Sequence, residues 1–96
     1  MTYYPKRTDV NQAEIARGLR KLGLSVFSTH AVGRGFPDLV CFNPISGCLM
    51  LLEVKSPCGI RTPGQKQFAA MFDGAVAIVH NVAEAACAVG IGALPW

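Results

Sequence analysis

The chain has 96 residues, 51% of them apolar and 16% charged, with a net charge of +3 and a pI near 8.8. That length suits one domain with one core, over 1–96, and the composition excludes a disordered chain. No apolar run approaches the roughly 20 residues of a bilayer span, and Met1-Thr2-Tyr3-Tyr4 does not read as a secretory leader. A soluble, cytoplasmic protein with no membrane partner is expected.

The first residues, with Pro5, Lys6 and Arg7, read as a loosely held arm. Asp9 to Leu22 then reads as a helix: Asp9 is placed as its cap, Gln12 at the capping-box position, and Gly23 as its stop. Ile15, Leu19 and Leu22 give it an apolar stripe, with Glu14 beside that stripe, and Gly18 offers room for close packing. Leu24 to Thr29 predicts a strand, His30 to Phe36 a loop, and Asp38 to Asn43 a second strand. Asn43-Pro44-Ile45-Ser46-Gly47 is a turn, and Cys48 to Lys55 a third strand. After a loop over Ser56 to Thr62, a second helix starts with Thr62 as cap, Pro63 as first residue and Gln65 as box partner. Phe68, Met71 and Phe72 supply its apolar face. Ala75 to His80 predicts a fourth strand, and Asn81, with Glu84 at its box position, opens a third helix that ends near Gly90. The tail Ile91 to Trp96 is apolar and unassigned.

The resulting order, α-β-β-β-α-β-α, predicts an α/β (α+β) fold with a central mixed four-stranded sheet flanked by helices and one crossover unit. The apolar share is high for so small a domain, so a homodimer is expected. Cys41, Cys48, Cys58 and Cys87 show no C-x-x-C spacing, and the histidines are His30 and His80 alone. Zinc is therefore not expected, and the thiols read as reduced and structural.

Chemistry concentrates on the central hairpin. If Pro44 to Gly47 forms a four-residue loop, Phe42 pairs with Leu49, Val40 with Leu51 and Asp38 with Glu53, with Lys55 on the same face as Glu53. Two opposed carboxylates repel, and a hard divalent cation such as Mg²⁺ or Mn²⁺ removes the conflict. The first helix is expected to cover that face, which would bring Glu14 to the metal. Taken singly, each of these charges has an ordinary explanation as a solvated strand end or a surface ion pair. The set of Pro37-Asp38 and Glu53-Val54-Lys55 on otherwise apolar strands favours a site.

At these residues the sequence resembles the PD-(D/E)XK nuclease superfamily. "GRGFPDLVCF", followed by "LLEVKSPCGIRTPGQKQF", is similar to the VRR-NUC group, the virus-type replication-repair nucleases, in its stand-alone phage and bacterial form. Gly35, Arg61 and Gln65 match the group's glycine, basic loop residue and helical glutamine. Phe36 is bulkier than that pattern suggests. The resemblance implies a restriction-endonuclease-like core in a bacterial or phage-infected cell. It implies Asp38 and Glu53 as metal ligands, Lys55 as the catalytic lysine, Glu14 as the helical acidic residue, and Gln65 at the site's edge, beside its capping role. Arg34, Arg61 and Lys66 are candidate contacts for DNA phosphates, though a solvated loop also explains the last two. His30 is a weaker candidate for the site. The implied activity is metal-dependent DNA endonucleolysis, structure-selective for branched DNA such as four-way (Holliday) junctions, as in DNA repair. The alternatives are a non-catalytic DNA-binding or dimerisation module and a restriction-type nuclease; the chain's length leaves little room for the latter's recognition domain.

Overall fold

The computed structural model describes residues 7–91. Its element order is the predicted one: α1 (Arg7–Lys21), β1 (Ser25–Ser28), a 3-10 turn (His30–Val32), β2 (Leu39–Asn43), β3 (Cys48–Val54), α2 (Pro63–Met71), β4 (Val76–Val79) and α3 (Val82–Ala88). The readings of the arm at 1–6 and of the tail at 92–96 lie outside the described residues. The strands lie in the order β1-β2-β3-β4; the first three run antiparallel, and β4 is parallel to β3 after the α2 crossover.

Local chemistry explains most boundaries. Thr62 Oγ1 accepts from the Gln65 amide at 3.2 Å while Gln65 Oε1 accepts from the Thr62 amide at 2.9 Å, so the expected capping box forms ahead of Pro63. Asn81 caps α3 by accepting from the Glu84 amide. The Glu84 carboxylate reaches one residue further back, to the His80 amide and ring, rather than to the cap's own amide. α1 ends as expected at Gly23, whose φ of +87° lets the Leu24 amide fold back onto the Leu19 carbonyl. Its start differs from expectation. The helix begins at Arg7, because neither glycine nor proline at 6–8 stops it from extending upstream, so Asp9 lies inside it and Gln12 is not a box residue.

The β2–β3 hairpin has the predicted register, with Asn43 opposite Cys48, Phe42 opposite Leu49 and Val40 opposite Leu51. Asn43 fixes both the turn and its place in the fold. Its Oδ1 accepts from the Ile45 amide at 3.0 Å, and its buried Nδ2 donates to the Val89 carbonyl at 3.0 Å. One sheet face carries Leu39, Cys41, Leu52 and Val54 against Ile15 and Leu19 of α1 and Ala85 and Ala86 of α3. Each of the larger apolar side chains buried there contributes roughly 1.5–3 kcal/mol. Gly18 lets α1 and α3 sit close: a Cβ there would stand 2.6 Å from Val82 Cγ2, so that glycine has the packing role its position suggested.

The opposite face holds Val40, Phe42, Leu49, Leu51 and Glu53. α1 does not cover it, contrary to expectation, because the stripe of Ile15 and Leu19 buries against the Leu39 side. Nor does α2 supply buried residues: Met71 is 67% exposed, and Phe68 packs instead against Phe72 and the Phe36 loop.

All four cysteines are free thiols. Burial, with the Cys48 thiol adding to it, pushes the Cys41 thiol up from about 9.0 to about 11. The unfolded chain therefore loses this proton first as pH rises, so the stability that neutral Cys41 contributes is full below pH 9 and is lost as pH climbs towards 11. Urea midpoints at pH 8.5 and 10.5 should fall further for the wild type than for Cys41→Ala; equal falls would contradict this.

Candidate active site

Asp38 is held from every side. Its amide donates to the Leu52 carbonyl at 2.9 Å and its carbonyl accepts from the Thr29 amide at 2.8 Å. Its Oδ2 accepts from the Val54 amide at 2.8 Å, and its Oδ1 lies 3.3 Å from His30 Nδ1. These bonds replace the expected pairing of Asp38 with Glu53. The ladder stops at Leu39 opposite Leu52, and the Asp38 side chain takes the amide that a further rung of backbone would have taken. The carboxylate is thereby bonded to the peptide that joins Glu53 to Val54. The two acids are neighbours through the backbone rather than opposed across the ladder.

Glu53 is 0% exposed, yet it lies on the sheet face that α1 leaves uncovered. Arg61 shields it: Nε donates to Oε2 at 3.1 Å. Oε1 is buried with no hydrogen-bond partner among the described residues. An unsatisfied buried polar atom costs about 1–3 kcal/mol, and more when charged. Glu53 is thus neither a solvated strand end nor half of a surface pair with Lys55. Arg61, expected at a DNA phosphate or in solvent, is instead the partner of Glu53. Lys55 is half-buried two residues on. Its amide continues the parallel ladder to the Val79 carbonyl at 3.1 Å, and its ammonium has no hydrogen bond or ion pair among the described residues.

The glycine loop meets α2 at this end of the sheet. A Cβ on Gly35 would stand 2.4 Å from both Gly64 C and Gly64 O and 2.8 Å from the Gln65 amide nitrogen, so the two backbones are in direct contact. Phe36 stacks edge-on against Phe68, with ring centres 5.0 Å apart, which gives the bulky residue a purpose: it clamps the loop to the helix. Arg34 is exposed in a left-handed conformation at φ +56°, between two glycines of positive φ. Gln65 lies at the contact with its Oε1 engaged in the capping box. Arg61 and exposed Lys66 line one shallow groove of about 270 Å³, together with Asp73.

Glu14 is not brought in. It is exposed on α1, which packs on the face opposite Glu53, and the expectation that it reaches the same point as the other acids is corrected accordingly. Gln12 takes the nearby position instead: buried to 7% exposure, its Nε2 lies 3.4 Å from His30 Nδ1. That ring nitrogen accepts from Gln12 when bare and donates to Asp38 when it carries the proton. The signal for Gln12 was its place three residues before Ile15 and seven before Leu19, a polar side chain on the buried stripe.

Among the described residues no three His, Cys, Asp or Glu side chains form a group able to hold a metal alone. Asp38 and Glu53 still fit a small hard cation, which takes one or two protein carboxylates and completes its shell with water and substrate oxygens. The orphaned Glu53 Oε1 is an oxygen that such an ion would satisfy.

No family model matches the sequence, and no curated protein matches it. A solved structure described as "VRR_NUC domain" superposes on 83% of this chain and 90% of its own, at a TM-score of 0.69 and 24% identity. The α-β-β-β-α-β-α order, the mixed sheet and this superposition together give the chain the fold of a VRR-NUC domain.

Proposed function

We propose that the chain is a metal-dependent DNA endonuclease of the PD-(D/E)XK type, selective for branched DNA such as four-way junctions and acting as a homodimer. The observation that carries this reading is the buried, half-satisfied Glu53 carboxylate one peptide away from Asp38. A structural core has no use for that arrangement, whereas a cation site does. Mg²⁺ or Mn²⁺ held by Asp38 and Glu53 would supply Lewis-acid charge at the scissile phosphate.

The chain's own groups complete the task. The Lys55 ammonium stabilises charge that grows on the phosphate and orients the attacking water. The Val54 amide and His30 hold Asp38 in one orientation. Exposed Arg34 in the loop beside Asp38, and Lys66 in its groove, meet the DNA backbone, and Gln65 sits at the edge of the site. Phe27 at 72%, Leu49 at 55% and Ile78 at 41% exposure share the uncovered sheet face, and this supports a second copy as partner. Two symmetric sites suit paired cuts on a two-fold junction.

The test uses linear duplex, flap and four-way junction DNA with Mg²⁺, Mn²⁺ or chelator. Cleavage is expected only with metal and mainly on the junction, and Lys55→Ala should lower its rate by about 10²–10³. Metal-dependent cutting that Lys55→Ala leaves untouched would remove the lysine's role. Binding without cutting in either metal would make the chain a non-catalytic DNA-binding module.

A further inference from the structure

A groove of about 630 Å³ runs between α1 and β1 on the face away from Glu53. Its α1 wall is built from Ala13, Ala16, Arg17 and Arg20, which recur at helical spacing, with Lys21 beside them. The alanines keep the wall low, and the cations stand above it. Among the described residues no carboxylate lines it.

Three features set this patch apart from ordinary solvated charge. First, Arg17 and Lys21 are like charges four residues apart on one helix, an arrangement that costs a few tenths of a kcal/mol unless an anion lies between them. Neither forms a hydrogen bond or ion pair among the described residues, and Glu14, one turn before Arg17, pairs with neither. Second, Arg20 is fixed in place: its Nη2 donates to the Val26 carbonyl at 3.0 Å, which ties α1 to the sheet's edge strand. Third, the groove leads towards Asp38. Leu39 and Gln12 line its other end; Leu39 follows Asp38 in sequence, and Gln12 meets Asp38 through the shared His30 nitrogen.

We infer that this groove is a phosphate track that holds the DNA backbone flanking the cut, with Arg17 and Lys21 as its contacts. The inference rests on the reading of DNA as substrate. From Gln12 to Lys21 the helix rises about 13.5 Å, which, measured along a duplex axis at about 3.4 Å per phosphate of one strand, spans about four phosphates. The track therefore serves the arm of the substrate beyond the scissile bond, a part that Asp38, Glu53 and Lys55 do not touch.

The experiment is a salt titration of binding to fluorescent duplex and junction DNA in chelator, where nothing is cut. The proteins compared are the wild type and Arg17→Gln/Lys21→Gln. Both side chains are exposed and form no bond among the described residues, so the double variant should fold, and its melting temperature checks that. Removing two phosphate contacts should lower the slope of log K against log salt by about 2, which weakens binding by tens of fold at about 0.1 M salt. An unchanged slope in a folded double variant overturns the inference, whether or not the wild type cuts DNA when metal is restored. A reduced slope in a protein that never cuts would sustain the groove and sink the nuclease reading, so the two failures are separable. Should the double variant unfold, the single variants Arg17→Gln and Lys21→Gln decide in the same way: each should lower the slope by about 1, and unchanged slopes in both overturn the inference.

Discussion

Glu53→Gln and Arg61→Gln should respond to a divalent cation in opposite ways. In the wild type, Glu53 Oε2 is neutralised by Arg61 at 3.1 Å while Oε1 has no partner among the described residues. Mn²⁺ at millimolar concentration should therefore raise the melting temperature by satisfying Oε1. Glu53→Gln keeps the shape, lets the amide oxygen accept from Arg61, and removes the charge proposed to hold the ion. Its melting temperature should be nearly insensitive to Mn²⁺, and cleavage should fall by at least about a thousandfold, the upper range for loss of one electrostatic stabiliser.

Arg61→Gln leaves a buried carboxylate without its cation. Removing one partner of a buried pair costs about 3–5 kcal/mol. Arg61 is itself one quarter exposed, so the loss should lie at the lower end. The metal replaces the missing positive charge, so Arg61→Gln should gain more from Mn²⁺ than the wild type does. Arg61 is in this sense the counter-ion of Glu53, placed 3.1 Å from its Oε2. If all three proteins show the same shift in thermal melts, Glu53 is not a ligand.

These expectations depend on contacts that the sequence did not disclose, and the reason is physical. What it disclosed was local. Thr62, Pro63 and Gln65 specify the start of α2 because a capping box is closed by residues three apart. Asn43 to Gly47 specify the hairpin register because turn length fixes pairing. The Pro-Asp and Glu-Val-Lys pairs lie on the hairpin that this turn makes, so the neighbourhood of Asp38 and Glu53 was legible even though their mutual geometry was not. Asp38 leaves the ladder because its side chain competes for the Val54 amide, and propensity carries no information on that competition. Glu14 was misplaced for a related reason. A helix stripe says that one side is buried, but not which face of a sheet buries it. Once α1 packs against Leu39 rather than Val40, Glu14 is carried into solvent and Gln12 towards His30. Arg61 belongs to the same class, since its partner is eight residues away across a loop whose path no local signal sets.

Gly35→Ala should be the most damaging single-methyl change near the site. The residue sits at φ +81°, where an L side chain costs roughly 1–2 kcal/mol. Its new Cβ would also lie 2.4 Å from Gly64 C and O and 2.8 Å from the Gln65 nitrogen. These are backbone atoms of a capped helix end, so no rotamer change relieves the overlap. The loop must lift away from α2, at an overpacking cost of about 1–3 kcal/mol. A total loss of about 2–5 kcal/mol is expected in urea unfolding. The reciprocal change provides the control. A Cβ on Gly64 would meet Gly35 Cα at 3.6 Å, ordinary contact, and the residue gains helix propensity, so Gly64→Ala should be neutral or mildly stabilising. Activity adds a second reading of the same geometry. Arg34 and Asp38 flank Gly35 in sequence, and Phe36 anchors that segment to Phe68. Lifting the loop should therefore lower cleavage even at temperatures where Gly35→Ala remains folded, while Gly64→Ala cuts normally. If the stability of Gly35→Ala lies within about 0.5 kcal/mol of the wild type, the contact with α2 does not hold the loop, and the proline-aspartate motif would owe its position to the strand hydrogen bonds of Asp38 alone.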